Sequence, residues 1–384
     1  MSAKRKGHSH AVAAARLFDG VSLHQDAAAI VEGGCVVEIA HRAEIPSGIQ
    51  VRELPDGLWL APGFIDVQVN GGGDVLFNDS PTPQTIRQIV AAHRRFGTTS
   101  LLPTLISDSP AKMKSALAAV DALCGVEPGV LGIHLEGPFL SPEKPGVHDP
   151  RAIRKPTEND LAIIAAPRSG VTLVTLAPEE VPRGFVDSLA KAGVRVALGH
   201  SMATYAQTRE AMAAGLTGFT HLFNAMRPLE SREPGPIAAA LESPDAWYGL
   251  IVDGIHVAPA TLRLALRGAG HPILVTDAMP PVGGRRPTFT LNGETITARG
   301  GRCAREDGRL AGACIDMATA VRNCVRLLNL SLIDALPFAS HHPAEFLGLG
   351  DRLGRLAPGM RADMVAIDPK SIEVRHSWVA GEME

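Results

Sequence analysis

Long apolar runs are absent. Nowhere in the 384 residues do about 18 apolar residues follow one another, so no membrane-spanning helix is expected. The apolar stretch Ala11–Ala15 is too short for the core of a secretory signal and runs into Arg16 and Asp19. Cysteine is scarce: five are present, an odd number, and none forms a Cys-x-x-Cys pair. That argues against a disulfide framework and for a reducing, cytoplasmic setting. Excess charge is also missing. The net value of −3 gives no electrostatic footprint for nucleic acid or an anionic membrane. The brief run Lys4-Arg5-Lys6 reads as a solvated chain end. There is no internal repeat, no low-complexity linker, and no Gly-x-Gly-x-x-Gly after the first strand-like run, which argues against a dinucleotide-binding sheet.

What is present is ample core material, 45% hydrophobic, in a length that suits a barrel plus a small accessory domain. Apolar runs at 63–70, 98–104, 130–137, 171–178, 194–200, 218–224, 247–254 and 272–278 read as eight strands. Amphipathic segments such as PQTIRQIVAAHRRFG and ATYAQTREAMAAG lie between them and end on glycine, as helix C-termini prefer. Near-continuous apolar strands alternating with helices predict an α/β fold with a parallel sheet covered on both faces. Eight such units predict a (β/α)8 TIM barrel; an open doubly wound sheet is the alternative. Residues 1–60 and 351–384 share a strand-and-turn texture. They are expected to pair into one small β-sandwich domain around a barrel of residues 61–350. Within 278–350, TFTLNGETITA predicts a hairpin turning at Asn-Gly, followed by two helices.

Four residues close such runs: Glu136 in GIHLEGP, His200 in VALGHS, His221 in GFTHLFNAM and Asp277 in ILVTDA. Barrel active sites lie at the C-terminal ends of strands. One carboxylate and two imidazoles can hold a divalent metal, and a further carboxylate beside them can move protons. The pattern points to metal-assisted hydrolysis. A lone histidine at a strand end is more often a satisfied polar residue than a ligand; four suitable residues at four strand ends reverse that judgement.

The strings PGFIDVQVNG, HLEGPFL, GHSMAT, THLFNAM, SREPG, DGIHV, VTDA and LAG, in that order, resemble N-acetylglucosamine-6-phosphate deacetylases of the amidohydrolase superfamily. The resemblance runs from about residue 60 to the C-terminus and more weakly through the N-terminal segment. It implies Glu136, His200 and His221 as metal ligands and Asp277 as catalytic base and acid. Water activated by the metal would attack the acetamide of N-acetylglucosamine 6-phosphate, giving glucosamine 6-phosphate and acetate in amino-sugar catabolism or recycling. Many superfamily members carry His-x-His at the end of strand one. Here that place reads Gln68-Val69-Asn70, and amides bind divalent metal poorly, so one divalent ion per subunit is expected. Zinc suits the site first, with iron, manganese or cobalt as alternatives. The alternative reading of Gln68 and Asn70 is hydrogen bonding to water or the barrel rim.

The resemblance further implies Val147, His148, Asn224, Ala225, Asp253, Gly254, Ile255, His256, Leu310, Ala311 and Gly312 as substrate contacts, with His148 stabilising the oxyanion. It implies a homodimer in which Arg232, from the SREPG string, reaches the phosphate in the neighbouring active site. For Arg232 the bland reading is a surface ion pair with Glu230 or Glu233. Arg227 departs from the family pattern and adds a charge beside the site. His341-His342, Cys314, Asp66 and Gly71–Gly73 are read as structural. Alternative functions are the same chemistry on N-acetylgalactosamine 6-phosphate or another N-acyl substrate, and a non-catalytic scaffold.

Overall fold

Apolar runs become strands here because both of their faces are covered. In the computed structural model, which describes residues 9–383, eight such strands form one parallel sheet. They are β1 (Phe64–Val69), β2 (Thr98–Ile106), β3 (Gly132–Glu136), β4 (Val171–Leu176), β5 (Arg195–Leu198), β6 (Gly218–Phe219), β7 (Trp247–Leu250) and β8 (His271–Leu274). Each lies beside the next in chain order. Every residue of β1 and β2 is buried, as a sheet covered on both faces requires. The first and last strands meet just past their ends. Val69 bridges Ala278 in parallel, and the Asp277 N–H donates to the Gln68 carbonyl at 3.0 Å. This contact brings the sheet round into the expected (β/α)8 barrel. The run Lys4–Lys6 lies outside the described residues.

Helices alternate with the strands, and local chemistry marks their ends. Ser109 Oγ accepts the Lys112 N–H ahead of the helix Pro110–Asp121, with proline in the first turn. Thr157 with Asp160, and Thr204 with Gln207, form reciprocal caps on Glu158–Ile164 and Tyr205–Ala213. Gly97, Gly193 and Gly215 follow their helices at φ of 88, 82 and 105°, a turn that side chains resist.

The chain forms two compact units. One comprises Val67–Ala92 and Leu101–Asp316; the other comprises the residues up to Asp66, His93–Ser100, and those from Met317 onward. In the latter, strands from both chain ends join one mixed sheet. Its order is Glu382–Met383, Glu373–Val379, Met364–Asp368, Trp59–Pro62, His10–Phe18, Leu23–Glu32, Cys35–His41, and Gln50–Glu53 also pairs with His10–Phe18. Trp59–Pro62 is the seam, antiparallel to Met364–Asp368 and parallel to His10–Phe18. Side chains alternate along a strand. Val12 and Ala14 therefore enter one apolar cluster with Leu60, Met364 and Trp378, while Ala11 and Ala13 enter another with Ala28 and Ile30. Helices Met317–Leu328, Leu332–Ala339 and His341–Leu347 belong to this unit, three where two were expected. The second run breaks at Ser340, whose φ of −132° and ψ of −72° are not helical.

In the barrel unit a four-stranded antiparallel sheet follows β8: Thr288–Leu291, Glu294–Arg299, Arg302–Ala304 and Leu310–Ala313. Its first hairpin turns at Asn292-Gly293, at φ of 51 and 82°, the geometry that a two-residue connection favours. Asn292 Nδ2 donates to the Val147 carbonyl at 2.9 Å, and Ala313 pairs with Ala278. The sheet is thereby tied to loops at the C-terminal ends of the barrel strands. Among the described residues no helix is long and apolar enough to cross a membrane.

Candidate metal centre and active site

Glu136 is the last residue of β3, and His200, His221 and Asp277 follow β5, β6 and β8 by two or three residues. These last three residues have positive φ, 49, 32 and 49°. A side-chain-bearing residue held there costs roughly 1–3 kcal/mol, a strain that persists only when its surroundings over-determine it. Part of that determination comes from Glu179, which sequence reasoning missed. Its carboxylate accepts Ser201 Oγ–H at 2.7 Å and the Met202 N–H, pinning the turn just after His200.

Glu136 Oε1, His200 Nε2 and His221 Nε2 form a triangle with sides of 3.1, 3.0 and 3.2 Å. Four ligand atoms arranged tetrahedrally at ~2.0–2.1 Å from one ion stand about 3.3–3.4 Å apart. All three side chains are buried. His200 Nδ1 lies 2.8 Å from the Lys144 carbonyl, which can only accept; Nδ1 therefore carries a proton, and the neutral ring turns its Nε2 lone pair into the triangle. A buried carboxylate facing two imidazoles calls for a compensating cation, and this donor set and spacing fit a divalent ion. A second group, Glu136, His148 and His200, also brings ligand atoms within 4.8 Å. It fits less well, because His148 Nε2 is 3.9 Å from Glu136 Oε1. His148 Nδ1 accepts the Ser107 N–H at 3.2 Å, which leaves the neutral ring's proton on Nε2, a donor rather than a ligand.

Burial and charge set the titration of the group. Burial pushes the Glu136 carboxyl up, but the ring nitrogens of His148, His200 and His221 outweigh it and hold the carboxyl well below the usual range. Burial pushes His148 down to about 4, so its ring is neutral near pH 7. For His221, burial acts downward and the adjoining Glu136 carboxylate more than offsets it. Asp277 is pushed up to about 6, first by burial and then by the Glu136 charge. Asp277 Oδ1 accepts from Asn70 Nδ2 at 2.6 Å and from Gln68 Nε2 at 3.3 Å; Gln68 Nε2 also donates to Glu136 Oε2 at 3.2 Å. Both amides thus present N–H groups to the carboxylates and orient them.

The cluster opens into a cavity of about 290 Å³ lined by Val147, His148, Asn224, Ala225, His256, Leu310 and Gly312 among others. Val147, bonded to Asn292, and His148 reach it because Gly146 lets their loop pass over His200: a Cβ at Gly146 would come within 2.9 Å of His200 Cε1. Asn224 Nδ2 donates to the His221 carbonyl at 3.1 Å. His256 Nδ1 donates to Asp253 Oδ2 at 2.6 Å, and Asp253 Oδ1 accepts the N–H groups of Ile255 and His256. Asp253, Gly254 and Ile255 therefore shape the turn that holds His256 and are not themselves among the lining residues. Leu310 and Gly312 face the cavity; Ala311, one residue out of phase on the same strand, is buried in an apolar cluster with Met279 and Ile296.

Arg232 is not brought to this cavity. It is exposed and has no side-chain partner among the described residues. The alternative ion pair with Glu230 or Glu233 is not formed among the described residues; Glu233 Oε1 accepts the N–H groups of Tyr205 and Gly235. Arg227 spends Nε and Nη2 on the Met202 and Ala203 carbonyls. Sequence reasoning missed Arg309, which also lines the cavity; its only signal is its place immediately before the LAG string.

The chain is similar to proteins already known. A family model described as "Amidohydrolase family" matches residues 59–383. N-acetylgalactosamine-6-phosphate deacetylase of Shewanella sp. (strain ANA-3) is 43% identical over 327 residues, covering 84% of this chain and 82% of that protein. N-acetylglucosamine-6-phosphate deacetylase of Haemophilus influenzae is 35% identical over 350 residues, covering 90% and 91%. The crystal structure of N-acetylglucosamine-6-phosphate deacetylase from Pasteurella multocida superposes with a TM-score of 0.94 at 32% identity, covering 98% of this chain and 99% of that one.

Proposed function

The chain belongs to the amidohydrolase family, and from that premise we propose that it is a metal-dependent deacetylase. It hydrolyses the acetamide of N-acetylglucosamine 6-phosphate to glucosamine 6-phosphate and acetate. The observation that carries this reading is the 3.0–3.2 Å triangle of Glu136, His200 and His221 beside a half-buried, hydrogen-bonded Asp277. These three ligands hold one divalent ion, zinc first. When bound, it supplies Lewis-acid chemistry that polarises the acyl oxygen and acidifies water.

The chain's own residues do the rest. Asn70 and Gln68 fix Asp277 Oδ1, leaving Oδ2 without a partner among the described residues. Asp277 takes the proton from the attacking water and delivers it to the departing sugar nitrogen. His148, neutral with its proton on Nε2, donates to the acyl oxygen as negative charge grows there. Val147, Asn224, Ala225, Leu310 and Gly312 wall the sugar, and His256, held by Asp253, meets its hydroxyl or phosphate end. Arg232, unoccupied in its own subunit, reaches the phosphate of a neighbouring site in a homodimer. The enzyme works in the cytoplasm, in amino-sugar catabolism or recycling.

A second reading is favoured by the 43% identical relative, which acts on the galactosamine epimer. Acetate release from both N-acetylhexosamine 6-phosphates by the metal-loaded protein, with metal content measured in parallel, tests the proposal. Preference for the galactosamine substrate would replace the epimer, and absence of acetate from either would remove the activity.

A further inference from the structure

The cavity is lined by two carboxylates, four imidazoles and one guanidinium, that of Arg309. Arg309 ends a tight loop. The Gly308 N–H donates to the Arg305 carbonyl at 3.0 Å, the Arg305 N–H to the Arg309 carbonyl at 2.9 Å, and the Arg309 N–H to Asp307 Oδ1 at 2.9 Å. The chain then enters Leu310–Ala313, whose last N–H donates to the Asp277 carbonyl at 2.9 Å. The backbone bearing Arg309 is therefore tied to the backbone of Asp277 through one short strand.

A second hollow of about 300 Å³ adjoins the first and shares Gly146, His148 and Arg309 with it. It also carries Arg151 and Arg305, but those charges are committed: Arg151 to Asp149 at 2.7 Å and Arg305 to Glu294 at 2.9 Å. The Arg309 side chain makes no ion pair or hydrogen bond among the described residues. A permanent cation without a counter-ion, at the border of two hollows and beside a metal-binding cluster, suits an anionic substituent on a ligand that enters the cavity.

We propose that Arg309 is the anion-reading residue supplied by the same chain as the metal ligands, taking the 6-phosphate of the sugar. This rests on the deacetylase reading and deepens it: recognition of the phosphate is shared between Arg309 in cis and Arg232 of a second subunit. Arg309 touches the phosphate and not the reacting amide, so it governs KM and specificity rather than the chemical step.

The test has two arms, both on metal-loaded full-length protein. The first measures binding of glucose 6-phosphate, which lacks the acetamide, to wild type, Arg309→Gln and Arg309→Lys by calorimetry. Kd is expected to weaken roughly 10- to 100-fold in Arg309→Gln. Arg309→Lys should fall between, since it keeps the charge and loses the bidentate fork. An unchanged Kd in Arg309→Gln overturns the proposal. The second arm compares kcat/KM for phosphorylated and unphosphorylated N-acetylglucosamine. The ratio of the two should collapse by a similar factor through KM; equal losses on both sugars would also overturn it. If wild type releases acetate from neither sugar, the deacetylase reading fails, and the binding arm still decides the role of Arg309.

Discussion

At Asp277 one oxygen accepts from Asn70 and Gln68 while the other has no partner among the described residues and is placed to exchange a proton. Asp277→Asn keeps shape and volume but cannot take that proton. The expected outcome is a fall in kcat of about 10²- to 10⁴-fold with metal content unchanged, measured by acetate release and elemental analysis. Near-normal turnover in this variant would remove the assigned role. Gly312 shows a backbone constraint at the same site. It sits at φ 59°, and a Cβ there would lie 2.7 Å from Met279 Cε and 2.9 Å from the Asp277 carbonyl oxygen. Gly312→Ala should cost about 1–3 kcal/mol and lower kcat/KM, read as a drop in Tm together with steady-state kinetics. An alanine variant as stable and active as wild type would show that this strand yields. Residue types at the strand ends were legible in the sequence because chemistry limits which side chains bind metal. The tautomers of His148 and His200 were not, since they depend on Ser107 and Lys144, partners 41 and 56 residues away.

Among the elements, the helix Glu158–Ile164 shows how a short segment is held. Arg154 meets Asp160 through two bonds, at 2.7 and 2.6 Å, and Asp160 also accepts from the Thr157 N–H and hydroxyl. Burial acts to raise Asp160, but these donors outweigh it and hold the carboxyl down at about 2. A depressed folded-state value stabilises above the ordinary value of ~3.9, and the contribution is lost as pH falls from there through about 2. The Tm of wild type should therefore fall more steeply between about pH 4 and 2 than that of Asp160→Asn, which should start lower at pH 7. Parallel curves for the two proteins would refute this. The eight barrel strands could be read directly because burial on both faces writes an apolar run, and helix ends could be read from their glycines. The break at Ser340 could not, because Pro337 and the helical pattern around it do not mark where the axis turns.

For the whole molecule, the proposed homodimer makes a prediction that one chain cannot. If Arg232 serves the neighbouring site, combining Arg232→Ala with Asp277→Asn creates hybrid dimers with one intact site of two, so the hybrid should regain about half of wild-type activity from two weak parents. Co-expression with two affinity tags and acetate release on the purified hybrid measures this; no restoration would place Arg232 in its own site or none. By itself the amino-acid order determined the alternation of strand and helix, the hairpin turn, and the chemical identity of the four strand-end residues. These follow from local periodicity, φ preference and ligand chemistry. Only the tertiary structure decided that Trp59–Pro62 would be the seam between the two chain ends, that Ala311 would turn from the cavity while its neighbours face it, and that Arg309 rather than Arg232 would line the cavity of its own chain. Such pairings join residues far apart in sequence, and no local preference records which distant surface will complete a given one.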